Sequence, residues 1–120
     1  VTMGLRVLVV DDDSDIGSVL KMRLELEDEI EEVQVASSAP QALNLCLEFV
    51  PQVVVVDRFM PGRLSGEQFA RALRDVVDPA PLIIAFTGFE TEADWYDVQV
   101  PKGSEDAVGE VVRAVMGDTP

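Results

Sequence analysis

The sequence predicts an α/β domain built on a parallel sheet with helices on both faces. Three observations carry this. Val53-Val54-Val55-Val56 is a run of four consecutive valines. Successive side chains of a strand point to opposite faces, so only a strand covered on both sides accommodates four in a row. Leu82-Ile83-Ile84-Ala85-Phe86 is a second run of the same kind. Between and around these runs lie helical apolar stripes bounded by proline and glycine, and strands alternating with helices imply a parallel sheet.

The elements follow in order. Leu5 to Val10 reads as a buried strand that ends at Asp11-Asp12-Asp13. Ser14, with Asp13, is placed to cap a helix whose inner face is Ile16, Val19, Leu20 and Leu24. Val33 and Val35 alternate with polar neighbours, giving a short second strand. Ser38-Ala39-Pro40-Gln41 has capping-box spacing with proline in the first turn, and Leu43, Cys46, Leu47 and Val50 form the face of the helix that follows. Pro51 ends that helix and the valine strand begins. Met60-Pro61-Gly62 and Gly66 mark a loop, and Phe69, Leu73, Val76 and Val77 give a third helical face.

Pro79 and Pro81 precede the Leu82–Phe86 strand, which runs into Thr87-Gly88. Residues 89 to 96 hold no more than about two helical turns. Val98 and Val100 predict a fifth strand, ending at Pro101-Lys102-Gly103. Ser104 is expected to cap a last helix, with Glu105 and Asp106 in its first turn and Val108, Val111, Val112 and Val115 on its inner face. The pattern is βα repeated five times, one domain spanning residues 1–120, with a frayed Gly117-Asp118-Thr119-Pro120 end.

Composition excludes several functions. The chain has 23 acidic and 9 basic residues, no histidine, and a formal net charge of -14. Direct binding to nucleic acid or to an anionic membrane wants a basic face, so neither is expected. Without histidine the usual base and the usual transition-metal ligand are missing. The single cysteine, Cys46, cannot form an internal disulfide and falls in a helical apolar pattern, as a buried, inert thiol would. No apolar run approaches the roughly 18 residues of a membrane span, and the first residues lack a signal peptide's pattern, so a cytoplasmic setting is expected.

The chemistry collects at the carboxyl ends of the strands, where open α/β sheets place their crevice. Asp11 and Asp12, Asp57, Thr87 and Lys102 each follow an apolar run, so one sheet edge gathers them. Two carboxylates about 4 Å apart repel by about 4 kcal/mol at an effective dielectric of 20, so the group needs a cation. An all-oxygen donor set points to a hard ion such as Mg²⁺. A metal, a carboxylate nucleophile, a hydroxyl and an ammonium make up a phosphoryl-transfer site, with Asp57 attacking phosphorus and the cations stabilising the moving charge. Taken singly, Asp11-Asp12-Asp13 reads as a solvated turn, Thr87 as a strand-end hydroxyl and Lys102 as a surface lysine. Asp57 is harder to place that way, since a carboxylate after four valines does nothing for a core.

Val9-Val10-Asp11-Asp12, Val56-Asp57 with Met60-Pro61 and Gly66, Thr87-Gly88 and Lys102 together resemble the receiver domain of two-component response regulators (CheY-like), over nearly the whole chain. The resemblance implies a flavodoxin-like five-stranded sheet of order 2-1-3-4-5. It implies that Asp57 is the phosphoacceptor and that Asp12 and Asp57 ligate Mg²⁺, with the backbone carbonyl of Phe59 and, through water, Asp11. By the same resemblance Thr87 is the switch hydroxyl, Gly88 lies beside the phosphoryl group, and Lys102 is its ionic partner. Phe59 and Phe89 stand where the family tunes hydrolysis, and two apolar rings there predict slow loss of phosphate. The expected donor is a sensor histidine kinase or a histidine phosphotransfer protein, and the output a downstream protein or fused effector domain. Such a domain is a signalling switch rather than a turnover enzyme.

The departures are specific. The loop after Met60-Pro61 is one residue longer than usual before Gly66. Proline precedes Lys102 instead of following it. The segment between Thr87 and Lys102 is short by roughly two turns, so the family's fourth helix should be truncated or irregular. Gln99 stands where the family carries a switching aromatic, with Trp95 and Tyr96 as nearby substitutes. A pseudo-receiver that acts as an interaction module is therefore an alternative. A Mg²⁺-dependent phosphatase is another, and it lacks a cap insertion or Gly-rich loop to form a substrate pocket.

Overall fold

In the computed structural model, residues 4–57, 65–88 and 94–117 are described. They form β1 (Leu5–Val10), α1 (Ser14–Glu25), β2 (Ile30–Ala36), α2 (Ala39–Phe49), β3 (Val53–Val56), α3 (Gly66–Val76), β4 (Leu82–Thr87), β5 (Val98–Pro101) and α4 (Ala107–Val115). The five strands make one parallel sheet in the order β2-β1-β3-β4-β5. This is the expected topology, with the sheet turning outward in both directions from β1 and β3.

Alternation divides the core between the two faces. Val54 and Val56 of β3 point toward α2 and α3, where they meet Ala42, Cys46, Phe69 and Leu73. Val53 and Val55 point the other way, toward α1 and α4 and the side chains of Leu20, Leu24, Val111 and Val115. All four valines are at most 4% exposed. Each such side chain contributes about 1.5 kcal/mol or more when taken out of water, an upper range set by an extended unfolded chain.

Several local expectations are corrected. The cap of α1 is Asp13, whose Oδ1 accepts from the backbone N–H of Asp15 at 3.0 Å and of Ile16 at 3.4 Å; Ser14 is the first helical residue. Ser38 does cap α2, accepting from Gln41 N at 3.3 Å, but Gln41 reaches back to Ser37 N, so the box does not close on Ser38. The closed capping box lies at α3, between Ser65 and Gln68. Ser104 caps nothing: α4 begins at Ala107, and Ser104 N donates to Pro101 O at 3.2 Å in the turn that carries the chain from β5 onto the sheet face. Glu105 and Asp106 precede the helix, leaving Glu110 as the acidic residue of its first turn.

Val19, Leu47, Val50 and Val76, expected on inner faces, are exposed. In α2 the reason is packing distance. Ala39, Ala42 and Cys46 form the buried stripe, and small side chains let the helix lie close to the sheet, which turns Leu47 outward.

Among the described residues no helix lies between β4 and β5. Residues 94–97 form bends fixed against α3 and the sheet. Arg71 pairs with the Asp94 carboxylate at 2.6 Å, and Arg74 donates to Asp94 O at 3.1 Å. Asp97 Oδ2 accepts from Ile83 N at 2.8 Å while its Oδ1 lies 3.2 Å from Arg74. Trp95 is fully buried in the core layer under α2 and α3, with Tyr96 edge-on to it at 5.2 Å.

Candidate functional site

The site is assembled by the sheet ladder. Val10 of β1 pairs with Val56 of β3, so the residues that follow, Asp11 and Asp57, leave the sheet side by side. Asp57 N donates to Val10 O at 3.1 Å and Asp11 N donates to Ala36 O at 3.1 Å, which holds both backbones in line with their strands. Thr87, the last residue of β4, pairs with Pro101 of β5, and Lys102 N donates to Thr87 O at 2.8 Å. Lys102 is thus the first residue past the β4–β5 ladder, as Asp57 is the first past β3.

These placements converge. Carboxylate oxygens of Asp11, Asp12 and Asp57 all lie within 4.8 Å of one another. Asp11 is 2% exposed and Asp57 8%, while Asp12 is open to solvent. Lys102 Nζ reaches back over them, 2.9 Å from Asp11 Oδ2 and 3.0 Å from Asp57 Oδ2. Asp11 Oδ1 accepts from Asp13 N at 2.9 Å, and Asp13 in turn caps α1, so the acidic loop and the helix brace each other. Thr87 is buried at the same edge; Gly88 is exposed, and a side chain there would meet nothing within 4 Å. Phe59 and Phe89 lie outside the described residues.

Electrostatics follow from burial. Burial pushes the Asp11 carboxyl above its ordinary value; the Lys102 ammonium and the Asp13 N–H oppose this, and the Asp57 charge adds to it. Burial also disfavours the charged form of Lys102, but its bonds to Asp11 and Asp57 and their charges prevail and hold it above the usual lysine range. Among the described residues, three carboxylates face one ammonium. Asp11 Oδ2 has the lysine charge at 2.9 Å. An all-oxygen cluster of three carboxylates against that one lysine fits a hard divalent cation.

One neighbour was not legible as part of this site. Phe86, one residue before Thr87, presents its ring 5.6 Å from Lys102 Nζ. Its position in an apolar run marks it only as core; the β4–β5 register is what sets it against the lysine.

Residues 7–106 match the family model described as "Response regulator receiver domain". The chain is 35% identical over 82 residues to the response regulator MprA of Mycobacterium sp. (strain KMS), covering 68% of this chain and 34% of that protein. It thus spans about one third of the length of that relative. Its fold is similar to a CheY-like receiver domain protein from Methanospirillum hungatei JF-1, with TM-score 0.82, 20% identity and coverage of 96% and 93% of the two chains. It is also similar to response regulator TrrA of Thermotoga maritima, solved in complex with Mg(2+)-BeF, with TM-score 0.77, 29% identity and coverage of 94% and 99%. With most of its length matched by that family model, the chain belongs to the response regulator receiver domain family.

Proposed function

We propose that Asp57 is the phosphoacceptor of a two-component signalling switch formed by residues 1–120. The observation that carries this is the Lys102 ammonium bridging Asp11 and Asp57 within a cluster of three carboxylates. Asp11, Asp12 and Asp57, with the Phe59 carbonyl implied by the family resemblance, are the residues that would hold Mg²⁺. Bound there, the ion would offset the negative charge on phosphoryl oxygens.

This chain's own groups do the rest. An Asp57 oxygen forms the new bond to phosphorus as the bond from phosphorus to the donor's imidazole nitrogen breaks, and the imidazole leaves with the electron pair and takes up a proton. Lys102 leaves the Asp57 oxygen for the incoming phosphoryl oxygens while staying anchored on Asp11. The Thr87 hydroxyl donates to a phosphoryl oxygen, and its inward shift is the conformational signal. The donor is a sensor histidine kinase or histidine phosphotransfer protein, met in the cytoplasm, and the reader a downstream protein or fused effector domain. Two apolar residues, Phe59 and Phe89, at the positions where the family tunes hydrolysis lead us to expect slow dephosphorylation; a half-life of seconds after loading would count against that.

Mass spectrometry after incubation with acetyl phosphate and Mg²⁺ tests the proposal. The expected result is gain of one phosphoryl group, abolished by Asp57→Asn. No gain favours the second reading, a pseudo-receiver interaction module. The observation on that side is the segment 94–97, held to α3 by Arg71 and Arg74 around a buried Trp95.

A further inference from the structure

The placement of Lys102 needs a physical account of its own. An ammonium on four flexible carbons has many rotamers and is strongly hydrated, yet here it sits with its side chain 21% exposed between two carboxylates. Hydrogen bonding fixes one side of it. On another side lies the ring of Phe86, with the Nζ 5.6 Å from its centroid. That is within the range where the negative face of a benzene ring attracts a cation, an attraction that grows as water is removed.

Phe86 is itself immobilised. It is 4% exposed and belongs to the core layer shared with α1 and α4. Its backbone pairs with Val100, two residues before Lys102. The ring and the lysine also share the wall of a cavity of about 290 Å³, whose other lining residues are Asp15, Ile16, Val19, Ala107 and Val108. Asp15 is the carboxylate of that wall, while Asp11 and Asp57 are the ones that lie 2.9 and 3.0 Å from the ammonium. An aliphatic side chain in place of the ring would keep the position apolar but present no negative face.

We propose that Phe86 is a positioning residue for the phosphoryl-transfer reaction: its ring holds the Lys102 ammonium at the Asp11–Asp57 pair. This rests on the functional reading above, in which Lys102 meets the incoming phosphoryl oxygens. Phe86 touches no reacting atom and acts through Lys102.

A double-mutant cycle of Phe86→Leu and Lys102→Met tests it with two readouts. The first is the rate constant of phosphoryl uptake from acetyl phosphate at saturating donor, together with the Mg²⁺ dissociation constant from calorimetry. Phe86→Leu is expected to slow uptake about three- to tenfold, the size of a partly desolvated cation–ring contact, with Mg²⁺ affinity unchanged. Phe86→Tyr, which keeps the ring, is expected to restore the rate. In the Lys102→Met background Phe86→Leu should change nothing further. The second readout is the urea midpoint of the same four chains without Mg²⁺ or donor, where the two substitutions should be non-additive.

Equal slowing by Phe86→Leu in both backgrounds, no rescue by tyrosine, or additive midpoints would overturn the proposal. A wild-type chain that takes up no phosphoryl group would instead overturn the functional reading, and the urea cycle would then decide the Phe86–Lys102 contact by itself.

Discussion

Lys102 and Asp57, 45 residues apart in the chain, meet at 3.0 Å, and the same ammonium lies 2.9 Å from Asp11. One cation thus ties the end of β5 to the ends of β1 and β3 and sets a positive charge between two buried carboxylates.

Removing that charge should therefore be costly. Lys102→Met takes the ammonium's attraction away from Asp11 and Asp57 and leaves their burial in place. In Mg²⁺-free buffer at neutral pH the expected loss is about 1–3 kcal/mol, read from urea denaturation. An unchanged midpoint would show that the ammonium contributes nothing to the folded state.

Asp11 behaves in the opposite sense to a usual salt-bridged carboxylate. Its folded-state pKa is raised, chiefly by burial, above the ordinary 3.8, so the folded chain binds this proton more tightly than the unfolded chain. Its contribution favours folding below 3.8 and is lost as pH rises through the folded value. Asp11→Asn removes this pH dependence and should stabilise the Mg²⁺-free chain near neutrality by about 1 kcal/mol, the gain shrinking on acidification. Mg²⁺ at a hundred times its dissociation constant should stabilise the wild type by about 2.7 kcal/mol and the variant much less. Thermal melts with and without Mg²⁺ across pH check both signs.

Val50 ends α2 in the left-handed region, with φ 48 and ψ 72. A β-branched residue is strained there, and its side chain is 45% exposed, so little packing depends on it. Val50→Gly should stabilise the chain by about 0.5–1 kcal/mol, the relief of strain exceeding the added freedom of the unfolded chain. A lower urea midpoint would show that the exposed valine is holding something in place.

Trp95 is fully buried and its indole N–H has no hydrogen-bond partner among the described residues. Trp95→Ala should cost about 3–5 kcal/mol through the cavity it leaves. Trp95→Phe should cost much less, because it keeps an aromatic ring and removes a buried, unsatisfied donor. Equal losses in the two variants would mean that the donor is not what separates them. Fluorescence of the wild type should be blue-shifted and resistant to iodide.

Cys46 is buried under α2 and its thiol is pushed up to about 11 by desolvation. Since the thiolate is the reactive form, alkylation at pH 8 should be slow in the folded chain and rapid in urea. Rapid labelling without denaturant would show that α2 opens locally.

Much of this molecule was legible in sequence, and the reason differs from element to element. Val53–Val56 declares its own environment, because four β-branched residues in a row have one stable setting, a strand covered twice. Asp57 after it is then conspicuous. Ser104 and Leu47 mislead because a cap and an inner face depend on where the chain must go next. The turn after β5 uses up Ser104 before α4 can start, and the small Ala39–Ala42–Cys46 stripe lets α2 lie on a face that excludes Leu47.

The order of the strand-end groups, the doubly covered parallel sheet and the shortened passage from Thr87 to Lys102 were determined by the sequence itself, because burial pattern and spacing are local properties of the chain. Tertiary structure alone decided that Lys102 bridges Asp11 and Asp57, that Phe86 faces its ammonium, and that Arg71 and Arg74 fasten Asp94 and Asp97 around Trp95. Each of those joins residues brought together only by strand register and helix packing, and no residue records in its own neighbourhood which distant partner the fold will supply.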